Sequence, residues 1–233
     1  QASPASAAEL AGRLGLDERA TRRVLDCLVV FGLLEKSAGP YRVTERGALL
    51  SDLHPESLRP MILHYNNLWD SWSSLTGVVR GGTGSRRTRA AEKDEASLAA
   101  FIGGMHAIGR TMAAEVAGAL DLSPYRRLLD IGGASGSYTI AFLRRNPELN
   151  AVLFDLPRVI PIAEARLRQE GFLDRVTLVA GNFEQDELPA GCDLALLSAI
   201  IHQNSPAENL ALYRKIHRAL APGGALLIRD HVM

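Results

Sequence analysis

The sequence predicts an α/β fold in which a parallel sheet, with helices on both faces, follows a smaller domain made mostly of helices. From residue 127 onward, short apolar runs alternate with stretches of helical periodicity, which is the pattern of parallel strands joined by helices. The first of these runs leads into a glycine-rich turn. We expect two domains, residues 1–90 and residues 91–233.

Each strand of the predicted sheet is a short apolar run that precedes a turn. Strands are predicted at Arg127–Ile131, Ala151–Phe154, Val176–Val179, Leu194–Ser198 and Ala225–Arg229. Helices are predicted at Phe101–Leu120, Ser137–Arg145, Val159–Gln169 and Ala207–Ala219. Because ligands of such sheets bind at the carboxyl ends of the strands, residues at those ends are the candidates for a site.

The turn after the first strand has the composition of a ligand-binding loop. Residues 127–138 read RLLDIGGASGSY, a strand that ends in Asp130, a glycine turn and a helix start. Glycine permits positive φ and lets backbone N–H groups approach a ligand, and a helix N-terminus attracts an anionic group. About 20 residues later Asp155 ends the second strand, where nucleotide-binding units carry a ribose-binding acid. The spacing indicates a cofactor that contains a nucleoside.

The order of the glycines separates two cofactor classes. A dinucleotide-binding loop reads G-x-G-x-x-G, but counted from Gly132 the third residue is Ala134 and the sixth is Ser137. The loop DIGGASG is instead similar to the D-x-G-x-G-x-G loop of S-adenosylmethionine methyltransferases, with alanine in place of one glycine. The pattern argues against a nicotinamide oxidoreductase.

Three further segments extend this similarity over nearly the whole chain. They are FDLPRVI at 154–160, AGNFEQDELPAGCD at 180–193 and SAIIHQN…APGGALLIRD at 198–230. In this order, together with DIGGASG, they resemble the caffeate/hydroxyindole type of small-molecule O-methyltransferase. The resemblance implies a Rossmann-like sheet, S-adenosyl-L-methionine as methyl donor, and methyl transfer to a hydroxyl of a small aromatic acceptor without a metal.

The resemblance also assigns roles to residues at the strand ends, beside the loop residues Asp130, Gly132 and Gly133. Asp155 would accept two hydrogen bonds from ribose hydroxyls. Asn182 stands where the family usually has an acid that contacts the adenine amino group, and Phe183 would pack on the adenine face or be a core aromatic residue. Ser198 stands at a position where members of the family often have a lysine that contacts the cofactor, and Ser198 would make its contact through the backbone carbonyl. Met105 would line the acceptor pocket.

His202 is the candidate for the chemical step. A phenol, with a pKa of about 10, is mostly protonated at neutral pH, and an imidazole, with a pKa of about 6.5, can take its proton during attack. His202 matches the family's catalytic histidine in place; the alternative is a strand-end histidine bonded to backbone. Gln203 and Asn204 depart from the acid and tryptophan that usually follow. Because the family draws further carboxylates from later residues, we expect the sequence to be a fragment.

The first domain reads as helix, turn, helix and wing. Ala7–Leu14 is a predicted helix, Asp17 caps a longer one, and two short strands and another helix follow. DNA binding is one interpretation, through Arg19, Arg22 and Arg23. Three acids of the same segment would repel phosphates. They are Asp17, Glu18 and Asp26.

The resemblance favours a different role for this winged-helix domain, namely formation of a homodimer. Trp69 and Trp72 recur at helical spacing and would form a core or a dimer seam. His106 and Arg110, on a mostly apolar helix, are expected to be structural. Residues 80–97, with the basic cluster Arg86, Arg87 and Arg89, are interpreted as a solvated connection between the domains, and an anion-binding loop is the alternative.

Composition excludes several classes of protein. The 26 basic and 26 acidic residues balance, so no net charge draws the chain to nucleic acid or to anionic membranes. No apolar run reaches the about 20 residues of a membrane span, and Gln1–Ala8 lacks a signal-peptide profile. Cys27 and Cys192 are expected to be buried, reduced thiols in a cytoplasmic protein. No ligand-like spacing of His, Asp and Glu predicts a metal site.

Two alternatives stay open beside the methyltransferase. A winged-helix regulator could keep this fold as a ligand sensor, and a non-catalytic homologue could bind the cofactor without turning it over. The former would bind DNA in a salt-dependent manner.

Overall fold

The computed structural model describes residues 3–82 and 92–231. It begins with two helices, α1 (Ala7–Leu14) and α2 (Glu18–Val30), and the carboxylate of Asp17 caps α2 as predicted. An antiparallel pair, β1 (Leu34–Lys36) and β2 (Tyr41–Val43), follows. A one-turn helix, α3 (Glu45–Ala48), completes this unit, which has the predicted order of elements.

One expectation for α2 is wrong, because Cys27 is exposed whereas Cys192 is buried. The sequence of α2 ends in a run of apolar residues, VLDCLVV, that covers more of the helix surface than one packing stripe. The side of α2 that carries Val24 and Cys27 therefore faces outward.

In the described parts of the connection to the sheet there are four helices: α4 (Arg59–Asn67), α5 (Trp69–Ser73), α6 (Leu75–Gly81) and the long α7 (Glu95–Ala119). Helices α4 and α7 pack closely, because α7 has Gly103 at the crossing. A Cβ atom there would lie 2.6 Å from Cβ of Pro60. Asp94 caps α7, which therefore starts earlier than its apolar periodicity predicts.

A five-stranded, all-parallel sheet forms the larger unit, as predicted. Its strands are β3 (Arg127–Ile131), β4 (Asn150–Asp155), β5 (Val176–Ala180), β6 (Cys192–Ser198) and β7 (Leu220–Arg229), in the spatial order β5-β4-β3-β6-β7. Strand β7 starts five residues earlier than the predicted Ala225, because Leu220 pairs with Cys192 across a register shift. The order reverses at β3, which places the switch point between β3 and β6.

Helices cover both faces of the sheet and bury its apolar side chains. The connecting helices are α8 (Ser137–Arg145), α9 (Ile160–Gln169) and α10 (Pro206–Ala219). On one face α10 packs on β3 and β6, and on the other α7 and α8 do. These two layers leave the carboxyl edge of the sheet open.

The described residues bear on two further features of the sequence. Trp69 and Trp72 are 70% and 66% exposed, so they do not belong to the core of this chain. No helix of residues 3–82 and 92–231 is long and apolar enough to cross a membrane. The basic cluster of the predicted connection, Arg86, Arg87 and Arg89, lies outside the described residues, and the division into domains at residue 90 stays a prediction.

Candidate active site

A cleft of about 490 Å³ opens between the carboxyl edge of the sheet and helix α7. Every residue predicted to bind the cofactor or the acceptor lines it: Met105, Asp130, Gly132, Gly133, Asp155, Asn182, Phe183 and Ser198. These residues come from β3, β4, β5, β6 and α7. The parallel order of the strands therefore brings together residues that are far apart in the sequence.

The glycine loop after β3 forms the floor of the cleft. Gly132 has φ of +69°, which side chains rarely adopt, and its N–H donates to the carbonyl of Phe154 on the next strand. A Cβ atom on Gly133 would lie 2.6 Å from Cγ of Leu153. The loop can therefore follow the sheet edge this closely only with glycine at these two positions.

Ala134 takes the place of the motif's second glycine and still adopts the left-handed conformation, with φ of +52°. Its N–H donates a hydrogen bond of 2.8 Å to Oδ2 of Asp155. The loop thus tolerates alanine at some conformational cost, because the bond to Asp155 and the surrounding sheet hold the backbone in place.

Asp155 is held in position by two backbone N–H groups. Oδ2 accepts from Ala134, and Oδ1 accepts from Leu156 at 2.7 Å. Burial raises the pKa of Asp155 above its ordinary value, and these two hydrogen bonds act in the opposite direction. Each carboxylate oxygen keeps a free lone pair, so the group can still accept from a ligand hydroxyl in the cleft.

Asp130 lies beneath the loop and is 3% exposed. Burial raises its pKa to about 6, although the Thr139 hydroxyl donates to it at 2.6 Å. The nearby Asp155 raises it further. Because Asp130 joins β3 to helix α8 through Thr139, it orients the loop as much as it lines the cleft.

The end of the cleft at β5 is shaped by Asn182 and Phe183. Oδ1 of Asn182 accepts the N–H of Glu184 at 2.9 Å, so a ligand amino group would share this acceptor with the backbone. Phe183 lines the cleft and also packs against the core beneath β3 and β6. The two roles considered for Phe183, packing on the adenine and packing in the core, are therefore compatible.

His202 lies in a short 3-10 turn (Ile201–Gln203) directly after β6. Its Nδ1 is 2.6 Å from Oδ1 of Asp230 at the end of β7. The ring stands beside the cleft and not among its lining residues, whereas Gln203 and Asn204 do line it. Sequence pattern alone does not reveal Asp230 as the partner, because the two residues are 28 positions apart and meet only when β6 and β7 pair.

Asp230 is suited to hold His202 in one orientation. Burial raises its pKa, but hydrogen bonds from the N–H groups of His231 and Ile201 and from His202 outweigh burial and lower it below the ordinary value. His231 brings a second imidazole near, with the two ring centroids 5.2 Å apart. Potential metal-ligand atoms of His202, Asp230 and His231 lie within 4.8 Å of one another, a grouping that sequence spacing does not reveal.

His106 and Arg110 face a second, smaller cavity of about 370 Å³ behind the loop. Nδ1 of His106 lies 2.8 Å from the hydroxyl of Ser137, which lines both cavities. Burial, together with Arg166 and Arg110, lowers the pKa of His106 to about 4, so this ring is neutral at neutral pH. The neutral, hydrogen-bonded ring agrees with a structural role.

The profile of the O-methyltransferase domain family matches residues 72–233. The chain belongs to this O-methyltransferase family. S-adenosylmethionine-dependent methyl transfer to oxygen, which the motifs predicted, is thereby confirmed as the activity of the family, and the fold is the expected Rossmann-like methyltransferase fold.

This methyltransferase chain aligns with about 70% of the length of the relatives described next. The tetracenomycin polyketide synthesis 8-O-methyl transferase TcmO of Streptomyces glaucescens is 31% identical over 240 residues, covering 99% of this chain and 70% of that protein. The crystal structure of LaPhzM superposes with a TM-score of 0.87 at 30% identity, covering 97% and 70% of the two chains. The neocarzinostatin O-methyltransferase NcsB1, solved with S-adenosylmethionine and 2-hydroxy-5-methyl naphthoic acid, gives 0.77 at 26% identity, covering 96% and 72%.

Three features of the methyltransferase cleft fit the cofactor of the family. The closely packed Gly132 and Gly133 present only backbone to the cleft, and the Asp155 carboxylate is fixed with lone pairs to spare. Tyr138, which lines the same cleft, has a buried hydroxyl without a hydrogen-bond partner among the described residues. A ligand that offers polar atoms at this point would satisfy it.

Ala134 provides a test of the loop conformation. Ala134→Gly should leave the free energy of unfolding within about 0.5 kcal/mol, since relief of the left-handed strain offsets the lost methyl group and added chain entropy. Ala134→Val should cost about 2 kcal/mol or more, because a β-branched residue is strained at positive φ. Urea denaturation measures both variants. Ala99→Val, at an exposed position of α7, is the control; an equal cost in the two valine variants would refute the strained conformation.

Proposed function

We propose that the chain transfers a methyl group from S-adenosylmethionine to a hydroxyl of a small aromatic acceptor, with His202 as general base. The observation that carries this proposal is the convergence of all predicted cofactor residues on one cleft whose opposite wall is apolar. When bound, the cofactor supplies an electrophilic methyl group on a sulfonium. The chain's own residues bind the cofactor and the acceptor, orient them toward each other, and remove the proton of the acceptor hydroxyl.

The order of the strands divides the cleft between the parts of the cofactor. Asn182 and Phe183, after β5, would hold the adenine, and Asp155, the last residue of β4, would hold the ribose. Gly132 and Gly133, after β3, would hold the amino-acid part of the cofactor, beside the N-terminus of α8. Gly136 begins that helix without a side-chain cap, so its first N–H groups are available to a carboxylate.

The acceptor would lie against α7. Residues of this helix make the opposite wall of the cleft apolar: Phe101, Ile102, Met105, Ile108 and Met112. A relative from Streptomyces sahachiroi is named for 3-O-methylation of 3-hydroxy-5-methyl-1-naphthoate, and one from Lysobacter antibioticus is a phenazine O-methyltransferase. Fused aromatic rings of this kind suit a wall of Phe, Ile and Met side chains.

His202 would take the hydroxyl proton with Nε2. Because Nδ1 faces the Asp230 carboxylate, the other ring nitrogen is the one left to accept a proton. Asp230, kept ionised by its hydrogen bonds, would then stabilise the imidazolium that forms. Proton removal accounts for part of the rate, and alignment of the two reactants in the cleft for much of the rest.

We also propose that the first domain, residues 1–90, forms a homodimer and that its winged-helix order serves this purpose. The support is the exposed apolar surface of α4 to α6, which includes Trp69 and Trp72. DNA binding is less well supported, because Arg22 pairs with Glu18 and Lys36 pairs with Asp26. Two free thiols, Cys27 and Cys192, suit a reducing compartment such as the cytoplasm.

Asp155→Asn tests the ribose contact. The variant should bind S-adenosylhomocysteine roughly 10- to 100-fold more weakly by calorimetry, since it loses charge-assisted hydrogen bonds. Asp174→Asn, which alters an exposed carboxylate away from the cleft, should bind as the unmodified chain does. Equal affinity of the two variants would refute the assignment.

His202→Ala tests the base. Transfer of a labelled methyl group to a phenolic acceptor should slow by about 10²–10⁴-fold while affinity for S-adenosylhomocysteine is kept. His217→Ala, at an exposed position of α10, serves as the control and should be fully active. An unchanged rate in His202→Ala would mean that positioning alone, or another base, carries the reaction.

The double substitution Trp69→Glu with Trp72→Glu tests the homodimer. Light scattering after size exclusion should give about twice 25.2 kDa for the unmodified chain and one copy for the double variant. Leu210→Glu changes an exposed leucine of α10 in the same way and should stay dimeric. A monomeric unmodified chain would contradict the proposal.

A further inference from the structure

The charges in the wall of the cleft are separated along the sheet edge. Three acids lie at one end: Asp130 near the end of β3, Asp155 at the end of β4, and Glu184 after β5. Arg229, the last residue of β7, lies at the opposite end and is the only basic residue among the described ones that line the cleft. The two ends of the cleft therefore favour different ligand groups.

Arg229 is half-buried and has no carboxylate partner among the residues that the structure describes. None of the ion pairs formed within residues 3–82 and 92–231 includes it. Its guanidinium donates instead to the thioether of Met112 on α7, with Nη2 2.6 Å from Sδ. A thioether is a weak acceptor, so within the described part of the chain most of the hydrogen-bonding capacity of this five-donor group is unused.

The backbone of Arg229 is rigidly placed, which fixes where its side chain starts. Arg229 pairs with Ser198 in the sheet register, and its carbonyl accepts the N–H of Ala199 at 2.8 Å. The side chain lies on the face of the sheet covered by α7, the face on which Met112 also lies. The cation is thus built into the same wall as the apolar surface proposed for the acceptor.

Strand order indicates which ligand Arg229 faces. Strand β6 lies between β7 and the cofactor residues proposed at β3, β4 and β5. Ser198, the cofactor candidate at the end of β6, is the neighbour of Arg229 but would offer only its backbone carbonyl. An anionic group beside Arg229 would therefore belong to the molecule bound at the β6–β7 end. That is the acceptor and not the cofactor.

We propose that Arg229 binds a carboxylate of the acceptor, so that the acceptor class is the aromatic hydroxy acids. This inference rests on the proposed function and narrows it. A planar guanidinium matches a carboxylate in a two-pronged arrangement, which fixes direction as well as charge. Anchored in this way, the aromatic ring would lie along Met105 and Met112, and its hydroxyl would be set at a defined distance from the anchor.

Matched pairs of acceptors test the proposal by binding, without need of turnover. 3-Hydroxy-2-naphthoate and salicylate are each compared with their carboxamide by calorimetry, in the presence of saturating S-adenosylhomocysteine. The unmodified chain should bind at least one acid about 10- to 100-fold more tightly than its amide, as expected for a charge-assisted pair. Arg229→Met should lose this preference, and Arg229→Lys should keep part of it.

Two controls identify the source of any change. Arg218→Met removes an equal charge from the exposed pair with Glu187 and should keep the preference for the acid. Arg229→Met should bind S-adenosylhomocysteine with unchanged affinity, which also shows that it is folded. A chain that binds no S-adenosylhomocysteine refutes the proposed function itself.

Three outcomes would overturn the role of Arg229. The first is that neither acid binds more tightly than its amide in the unmodified chain. The second is a preference for the acid that persists in Arg229→Met. The third is a loss of S-adenosylhomocysteine affinity in Arg229→Met, which would assign the guanidinium to the carboxylate of the cofactor.

Discussion

The hydrogen bond from the Ala134 N–H to Asp155 joins the glycine loop to the neighbouring strand, and the cleft depends on it. It holds a non-glycine residue at positive φ, and it holds the carboxylate at the carboxyl edge of the sheet. Without it the loop would keep, among the described residues, only the bond from the Gly132 N–H to the Phe154 carbonyl on β4, and Asp155 would lose one of the two N–H groups that fix it. One interaction thus sets both the shape of the floor and the position of the ribose-binding candidate.

From this point the cleft divides into two functional ends. The end at β3, β4 and β5 tolerates few substitutions, because it consists of closely packed glycines and of carboxylates held by hydrogen bonds. The end at β6 and β7 combines several kinds of chemical group: the apolar wall of α7, the Arg229 cation and, near it, the His202–Asp230 pair. The switch point at β3 and β6 is where the two ends meet, so a donor and an acceptor can be brought into contact there.

The sequence predicted features that depend on local pattern. The five strands, the glycine loop and the residues at the strand ends follow from periodicity and motif spacing, and all eight predicted binding residues do line one cleft. It did not predict features that depend on pairing between distant segments. Asp230 meets His202, and Arg229 reaches Met112 from 117 residues away, only because β6, β7 and α7 come together. Cys27 was wrongly expected to be buried, since a helix with apolar residues on several sides does not show which side packs.

The most direct measurement is isothermal titration of the purified chain with S-adenosylhomocysteine and, separately, with NADH. Both ligands contain adenosine, so the comparison tests the loop pattern and not merely an affinity for nucleosides. We expect saturable binding of S-adenosylhomocysteine at one site per chain and no binding of NADH. Binding of NADH alone, or of neither ligand, would contradict this expectation.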